Sequence, residues 1–340
     1  MMKDTLIKYI TNIKYFLILG VVLIHSNFVN KVTDISKIGA QIANHISQNM
    51  MSVCVPCFFI ISGFLFFNNV NTFSKEIYIK KLKSRVHTLL IPYVLWNIFC
   101  MGLFLFKVYY LHFPGLGIVT DGHIDWYLFF RGFFTIDTVD GFPYAFAFWF
   151  IRNLICFVII SPVVWVIARR IWLFAIALLV AYLFDFDTFK IEFFILGAVL
   201  AVNKIGLDRL IVNNRWFIIL SILYFAMTFF VFSHNITLLI TVILAMLIIT
   251  KLGKIASETK SIFNNSLLLQ ATFFIYAFHQ CFCTVVVKLW FNVCGGNNVF
   301  TTLIAYILSF VSMVAVSVGV YWLLRRLFPR FTAVITGGRG

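Results

Sequence analysis

Two histidines and a handful of cations stand where an ionised side chain is costly, and they carry most of the chemistry this chain can do. Lys14 and His25 bracket the run YFLILGVVLI, and the apolar sequence continues to Phe28 and Val29. Eleven steps along a helix return to within about 20° of the start, so the two side chains share a face, roughly 16 Å apart along the axis. A histidine at such a depth must face protein or water rather than lipid. It is then either a hydrogen-bonding strut between helices or a general base, a role that suits an imidazole titrating near neutrality. Lys14 is an ordinary membrane-edge anchor or a charge partner for that site. Tyr276 and His279 in IYAFHQ lie three residues apart and share a helix face. A second intramembrane histidine favours a proton-handling site over two unrelated struts. Arg152 in FWFIRNL approaches the membrane from the outer side and needs a partner there, for which Glu192 is the candidate. Arg85 closes KKLKSR and is placed to pair with a phosphate, whereas Lys80, Lys81 and Lys83 read as a solvated edge.

Other chemistries lack their residues. No carboxylate stands in an apolar run at the depth of His25, which removes a Ser-His-Asp triad. There is no Walker loop, no GxGxxG and no metal-ligand spacing, so neither a metal nor a bound cofactor is expected. Cys54-Val-Pro-Cys57 has redox-motif spacing, but inside an apolar run it reads as two small apolar residues, and the odd total of seven cysteines suggests no disulfide framework.

The elements that must position these groups follow from composition. The chain has 340 residues, 62% hydrophobic and only 11% charged, with mean hydropathy +1.00. A soluble domain is nearer a quarter charged, so the expectation is an all-α, polytopic transmembrane bundle forming one membrane domain over 1–340. Apolar runs predict ten spans, at about 13–32, 48–68, 87–111, 144–168, 171–184, 191–203, 215–232, 236–250, 267–291 and 299–324. The first is a retained helix, since no small-residue cleavage site follows it. The formal charge of +15 would suggest nucleic acid in a soluble protein. Here the cations cluster at the N-terminus and after every second span, and acidic connections follow spans three and five. The positive-inside rule then puts both termini in the cytoplasm, with no nucleic-acid partner. The long connection 112–143 falls outside. Its Asp121, Asp125, Asp137 and Asp140, with Trp126, Tyr127, Phe129 and Phe130, suit either a piece lying in the interface or a surface that holds a sugar. Asp185 and Asp187 predict a tight turn, and Gly337–Gly340 an unstructured end.

Five motifs in order resemble a known family. They are the basic-X10-His helix at 14–25, VPCFFIISGFLFF at 55–67, KKLKSRVHTLLIPYVLWN at 80–97, FWFIRNL at 148–154 and IYAFHQ at 275–280. Together they are similar to the acyltransferase-3 family of integral-membrane O-acyltransferases, over about 14–325. The resemblance implies transfer of an acyl group, usually acetyl from acetyl-CoA as co-substrate, to a hydroxyl of a carbohydrate or other cell-envelope molecule, by a multi-pass protein of the cytoplasmic membrane. It places the essential histidine on His25 and its basic partner on Lys14, where members usually have Arg. A second family Arg falls on Thr88, beside His87, and an Asp after the fourth-helix arginine is Asn153 here. The implied roles are catalysis by His25 and His279, donor binding by Lys14 and Arg85, and acceptor or oxyanion contacts from Arg152, Tyr276, Ser62 and Trp149. Direct transfer and an acyl-histidine intermediate both remain open. The alternative class is a transporter or flippase of an envelope precursor, which ten spans and intramembrane charges also suit. A sensory membrane module is a third, disfavoured because no fused domain is visible.

Overall fold

The computed structural model describes residues 2–28, 32–33, 35–120, 122–136, 141–183, 190–230, 235–259 and 266–338. Val29, Asp121, Asp137, Asp140, Asp185 and Asp187 lie outside these. The architecture is α-helical, with one two-stranded antiparallel hairpin, β1 (Val119–Thr120) and β2 (His123–Ile124), in the long connection. Among the described residues, five helices are long and apolar enough to cross a membrane: α2 (Lys37–Phe67), α3 (Lys75–Leu111), and three in the C-terminal half. A sixth span is formed if α5 (Phe146–Ile159) and α6 (Ser161–Arg169), bent by 72° at their junction, count as one. Shorter apolar stretches are Tyr9–His25, Ile171–Val180, Ile191–Val202 and Asn214–Met227. Together these make the chain a multi-pass integral membrane protein.

Several expected boundaries move, for local reasons. α1 is Met2–His25, not 13–32, so His25 sits in its last turn rather than in mid-span. Ser26 ends the helix by donating to the Val22 carbonyl at 2.9 Å, and Asn27 reaches across to Asn44 Oδ1 at 3.1 Å. The polar segment expected as a connection before span two is instead the first part of α2, capped by Ser36, whose hydroxyl accepts from Gly39 N–H. Likewise the most basic segment, Lys75–Arg85, is helical and continuous with the apolar part of α3. Prolines mark the irregularities, because each removes a helical N–H. Pro56 follows a π-helical turn (His45–Met50) and a 3-10 turn (Met51–Val53), Pro92 follows a π-helical turn (Val86–Leu90), and Pro162 follows the bend between α5 and α6. In the long connection α4 (Trp126–Arg131) is a short helix with Trp126 and Tyr127 exposed. Asp125 is its N-cap, accepting from Leu128 N–H at 3.0 Å.

The remaining helices are α7 (Ile171–Leu183), α8 (Ile191–Val202), α9 (Asn214–Met227), α10 (Asn235–Glu258), α11 (Ser266–Gln270), α12 (Thr272–Cys294), α13 (Val299–Leu327) and α14 (Pro329–Ile335). α14 occupies residues beyond the last expected span and is tied to α3 by Trp96 Nε1, which donates to the Ile335 carbonyl at 3.0 Å. One apolar core joins α1, α2, α5, α8, α12 and α13, with Phe59, Phe66, Phe67, Phe148, Phe193, Phe194 and Phe274 fully buried.

Lipid offers no hydrophobic drive between helices, so close approach at small residues does that work. α2 and α8 meet this way. A Cβ at Gly63 would run into the Phe194 carbonyl, and one at Gly197 into the Ile60 carbonyl. The glycine of the SGFL motif is thus a crossing point, and its neighbour Ser62 is carried on a helix held tightly from behind. Cys54 packs on Gly20 of α1, and Cys57 is fully buried; both thiols are free.

Candidate active site

α1 presents Thr11, Lys14, Ile18, Val21 and His25 to a cavity of about 280 Å³. Their spacing of three, four, three and four residues is a single helical stripe. α2 runs antiparallel to α1: Ser47 Oγ donates to the Leu23 carbonyl, and seven residues later Cys54 stands against Gly20. It contributes Val55, Phe58 and Ser62 to the cavity. α3 adds Leu89, the start of α5 adds Ala147, Trp149, Phe150, Ile151 and Leu154, and α11 and α12 add Leu269, Gln270, Thr272, Phe273 and Tyr276. Besides His25 and Tyr276, Thr11, Lys14, Ser62, Gln270 and Thr272 supply polar groups to a lining that is otherwise mostly apolar.

His25 and His279 come together. Their ring centroids are 5.1 Å apart with planes at 40°, and Phe146 meets the His25 ring edge-on at 5.8 Å. His279 is fully buried, and its Nδ1 lies 2.8 Å from the Ile275 carbonyl one turn earlier. A carbonyl only accepts, so Nδ1 carries the proton, and in the neutral ring Nε2 holds the lone pair. Tyr276 lines the same cavity, but its hydroxyl donates to the Ala147 carbonyl and so braces the wall.

Phe146 is itself held in place. Asn97, fully buried on α3, donates to the Tyr93 carbonyl at 2.8 Å and accepts from Ala145 N–H at 3.0 Å. The Tyr93 hydroxyl donates to the Phe133 carbonyl. α3 thereby seats the end of the long connection beside the histidine pair.

Of the expected site residues, His25, Lys14, Ser62, Trp149 and Tyr276 line one cavity, and His279 abuts it. Arg85 and Arg152 do not line it. The Arg85 guanidinium lies over the Phe66 ring, 5.7 Å from its centroid, while Leu89, one turn on, reaches the cavity. Arg152 does not meet Glu192. It donates to the Phe134 carbonyl, to the Gly141 carbonyl at 2.6 Å and to Asn153 Oδ1 at 3.3 Å, and so finds its acceptors largely on the long connection. Glu192 Oε2 is buried with no hydrogen-bond partner among the described residues.

Thr11, Gln270 and Thr272 are polar lining residues that reading the sequence missed. Thr11 was visible as the position three before Lys14 on the same stripe. Gln270 is the polar residue interrupting LLLQATFF, and Arg325 of α13 donates to its Oε1. Among the described residues no group of three or more His, Cys, Asp or Glu is arranged to hold a metal.

A family model described as an acyltransferase domain matches residues 7–322, which takes in nearly every element that builds this cavity. No curated protein and no solved structure matches the chain.

Proposed function

The chain belongs to the acyltransferase-3 family, and from that premise we propose that it moves an acyl group, acetyl in the first instance, from acyl-CoA to a hydroxyl of a cell-envelope carbohydrate. Membership and a multi-pass helical bundle make it a membrane protein of acyltransferase type; donor and acceptor are the proposal. The observation that carries it is the cavity stripe from Lys14 to His25, with a second imidazole against the first.

In this reading the protein is one membrane domain of ten spans with both ends cytoplasmic. The donor's phosphates lie on the cytoplasmic side near Lys14, with Arg85 contributing charge from outside the cavity. The thioester arm follows the apolar wall toward His25. His25 takes the proton of the acceptor hydroxyl as the oxygen attacks the thioester carbonyl; the C–S bond breaks and the thiolate leaves, to be protonated in turn. His279, with Nδ1–H fixed on Ile275, orients or relays at Nε2. Ser62 and Trp149 are candidates for holding the acceptor or the developing oxyanion. Tyr276 and Arg152 then act by shaping the wall and the outer connection. An acyl-His25 intermediate uses the same geometry.

The test is a comparison of cell-surface glycans with and without the gene, scored for O-acetyl content. Loss of an O-acetyl group is expected. Unchanged envelope O-acylation together with an altered small solute would favour a transporter.

A further inference from the structure

A second cleft, about 700 Å³, lies against neighbouring faces of the helices that build the candidate site. Tyr15 and Leu19 of α1, Leu268 of α11, and Phe310, Val314 and Trp322 of α13 line it. α1 and α11 therefore border both spaces: Lys14, Ile18 and Leu269 line the cavity, and their chain neighbours Tyr15, Leu19 and Leu268 line the cleft. The cleft is apolar over the reach of the membrane-spanning part of α13 and ends where that helix turns basic. Arg326 lies over the Trp322 ring at 5.6 Å, and Arg325, also exposed, donates to Gln270. A strip of apolar wall ending in an aromatic and two adjacent guanidinium groups is complementary to a long chain carrying an anionic head.

We infer that this cleft is a binding site for an anionic phospholipid, with one acyl chain along α1 and α13 and the phosphate on Arg325 and Arg326. The headgroup competes with Gln270 for Arg325, so occupancy alters a residue of the cavity wall. The site does not depend on the acyl-transfer reading, because its readout is lipid retention rather than turnover.

Full-length protein in detergent is incubated with equal concentrations of phosphatidylglycerol and phosphatidylcholine bearing the same chains, and retained lipid is counted by native mass spectrometry. Phosphatidylglycerol should be retained in preference. The double change Arg325→Gln, Arg326→Gln should reduce its retention about thirtyfold, at roughly fivefold per cation beside an anionic head, and leave phosphatidylcholine unchanged. Gly319→Leu tests the chain-binding half. Gly319 lines the cleft and a Cβ there meets nothing within 4 Å, so the larger side chain occupies the cleft without disturbing the fold. It should lower retention of both lipids while the thermal midpoint holds. Gln270→Ala should raise phosphatidylglycerol retention by releasing Arg325. Equal retention of the two lipids by the unaltered protein, or retention unchanged by Gly319→Leu, would overturn the assignment; an unchanged value for Gln270→Ala would overturn the competition.

Discussion

The imidazoles of His25 and His279 lie 5.1 Å apart, although 254 positions separate them in the chain. Neither helix alone makes a site. α1 ends at His25, α12 carries His279 into the core, and Phe146 closes over the first ring. Within the pair, Nδ1–H of His279 is fixed on the Ile275 carbonyl.

That hydrogen bond allows the two roles of His279 to be separated. His279→Asn keeps a short donor near Ile275 but has no counterpart of Nε2. If Nε2 takes part in transfer, turnover should fall by about tenfold or more with the protein still folded. Activity close to the unaltered level, measured by acyl transfer at equal expression, would leave His279 a structural role only.

Lys14 lines the cavity and Arg85 does not, so their effects on the donor should differ. Lys14→Ala should raise the apparent KM for acyl-CoA by roughly tenfold, the scale of one charge-assisted hydrogen bond. Arg85→Ala should raise it less, and Lys14→Arg should retain activity. Steady-state kinetics with acyl-CoA varied at fixed acceptor checks the order; a larger effect from Arg85 would move the phosphates away from Lys14.

Asn97 connects α3 to the segment that seats Phe146. Asn97→Leu leaves the buried Ala145 N–H without its acceptor, which costs about 1–2 kcal/mol. A lower thermal midpoint and a lower turnover are expected together. Full activity would show that Phe146 does not depend on this anchor.

Much of this arrangement was legible in the sequence. The apolar runs located the long apolar helices, because lipid forces the backbone to satisfy itself within each one, but they missed α4, α14 and the polar starts of α2 and α3. The Lys14–His25 stripe followed from helical spacing alone. What the sequence hid was set by contacts between distant segments. The end of α1 at His25 depends on Ser26 and Asn27 finding the Val22 carbonyl and Asn44. Arg152 needed a partner, but backbone carbonyls of the long connection supplied it, and such acceptors leave no signature in side-chain types. Asp125 was weighed as a sugar ligand and serves as a helix cap. The expected span 144–168 runs through the 72° bend before Pro162, which the apolar run does not record.

Orientation makes a separate prediction. Tyr127 is exposed on α4 in the long connection, expected outside, and Ser84 is exposed at the basic end of α3, expected inside. Tyr127→Cys should react with a membrane-impermeant thiol reagent applied to intact cells, and Ser84→Cys should react only after permeabilisation. The reverse pattern would place the donor on the other face.

The most direct measurement is transfer from radiolabelled acetyl-CoA by purified protein, with His25→Ala beside the unaltered chain at matched expression and thermal midpoint. Loss of the imidazole should lower turnover by about two to four decades, the usual contribution of a general base, while donor binding persists. Near-normal turnover by folded His25→Ala would contradict the central role given to this histidine.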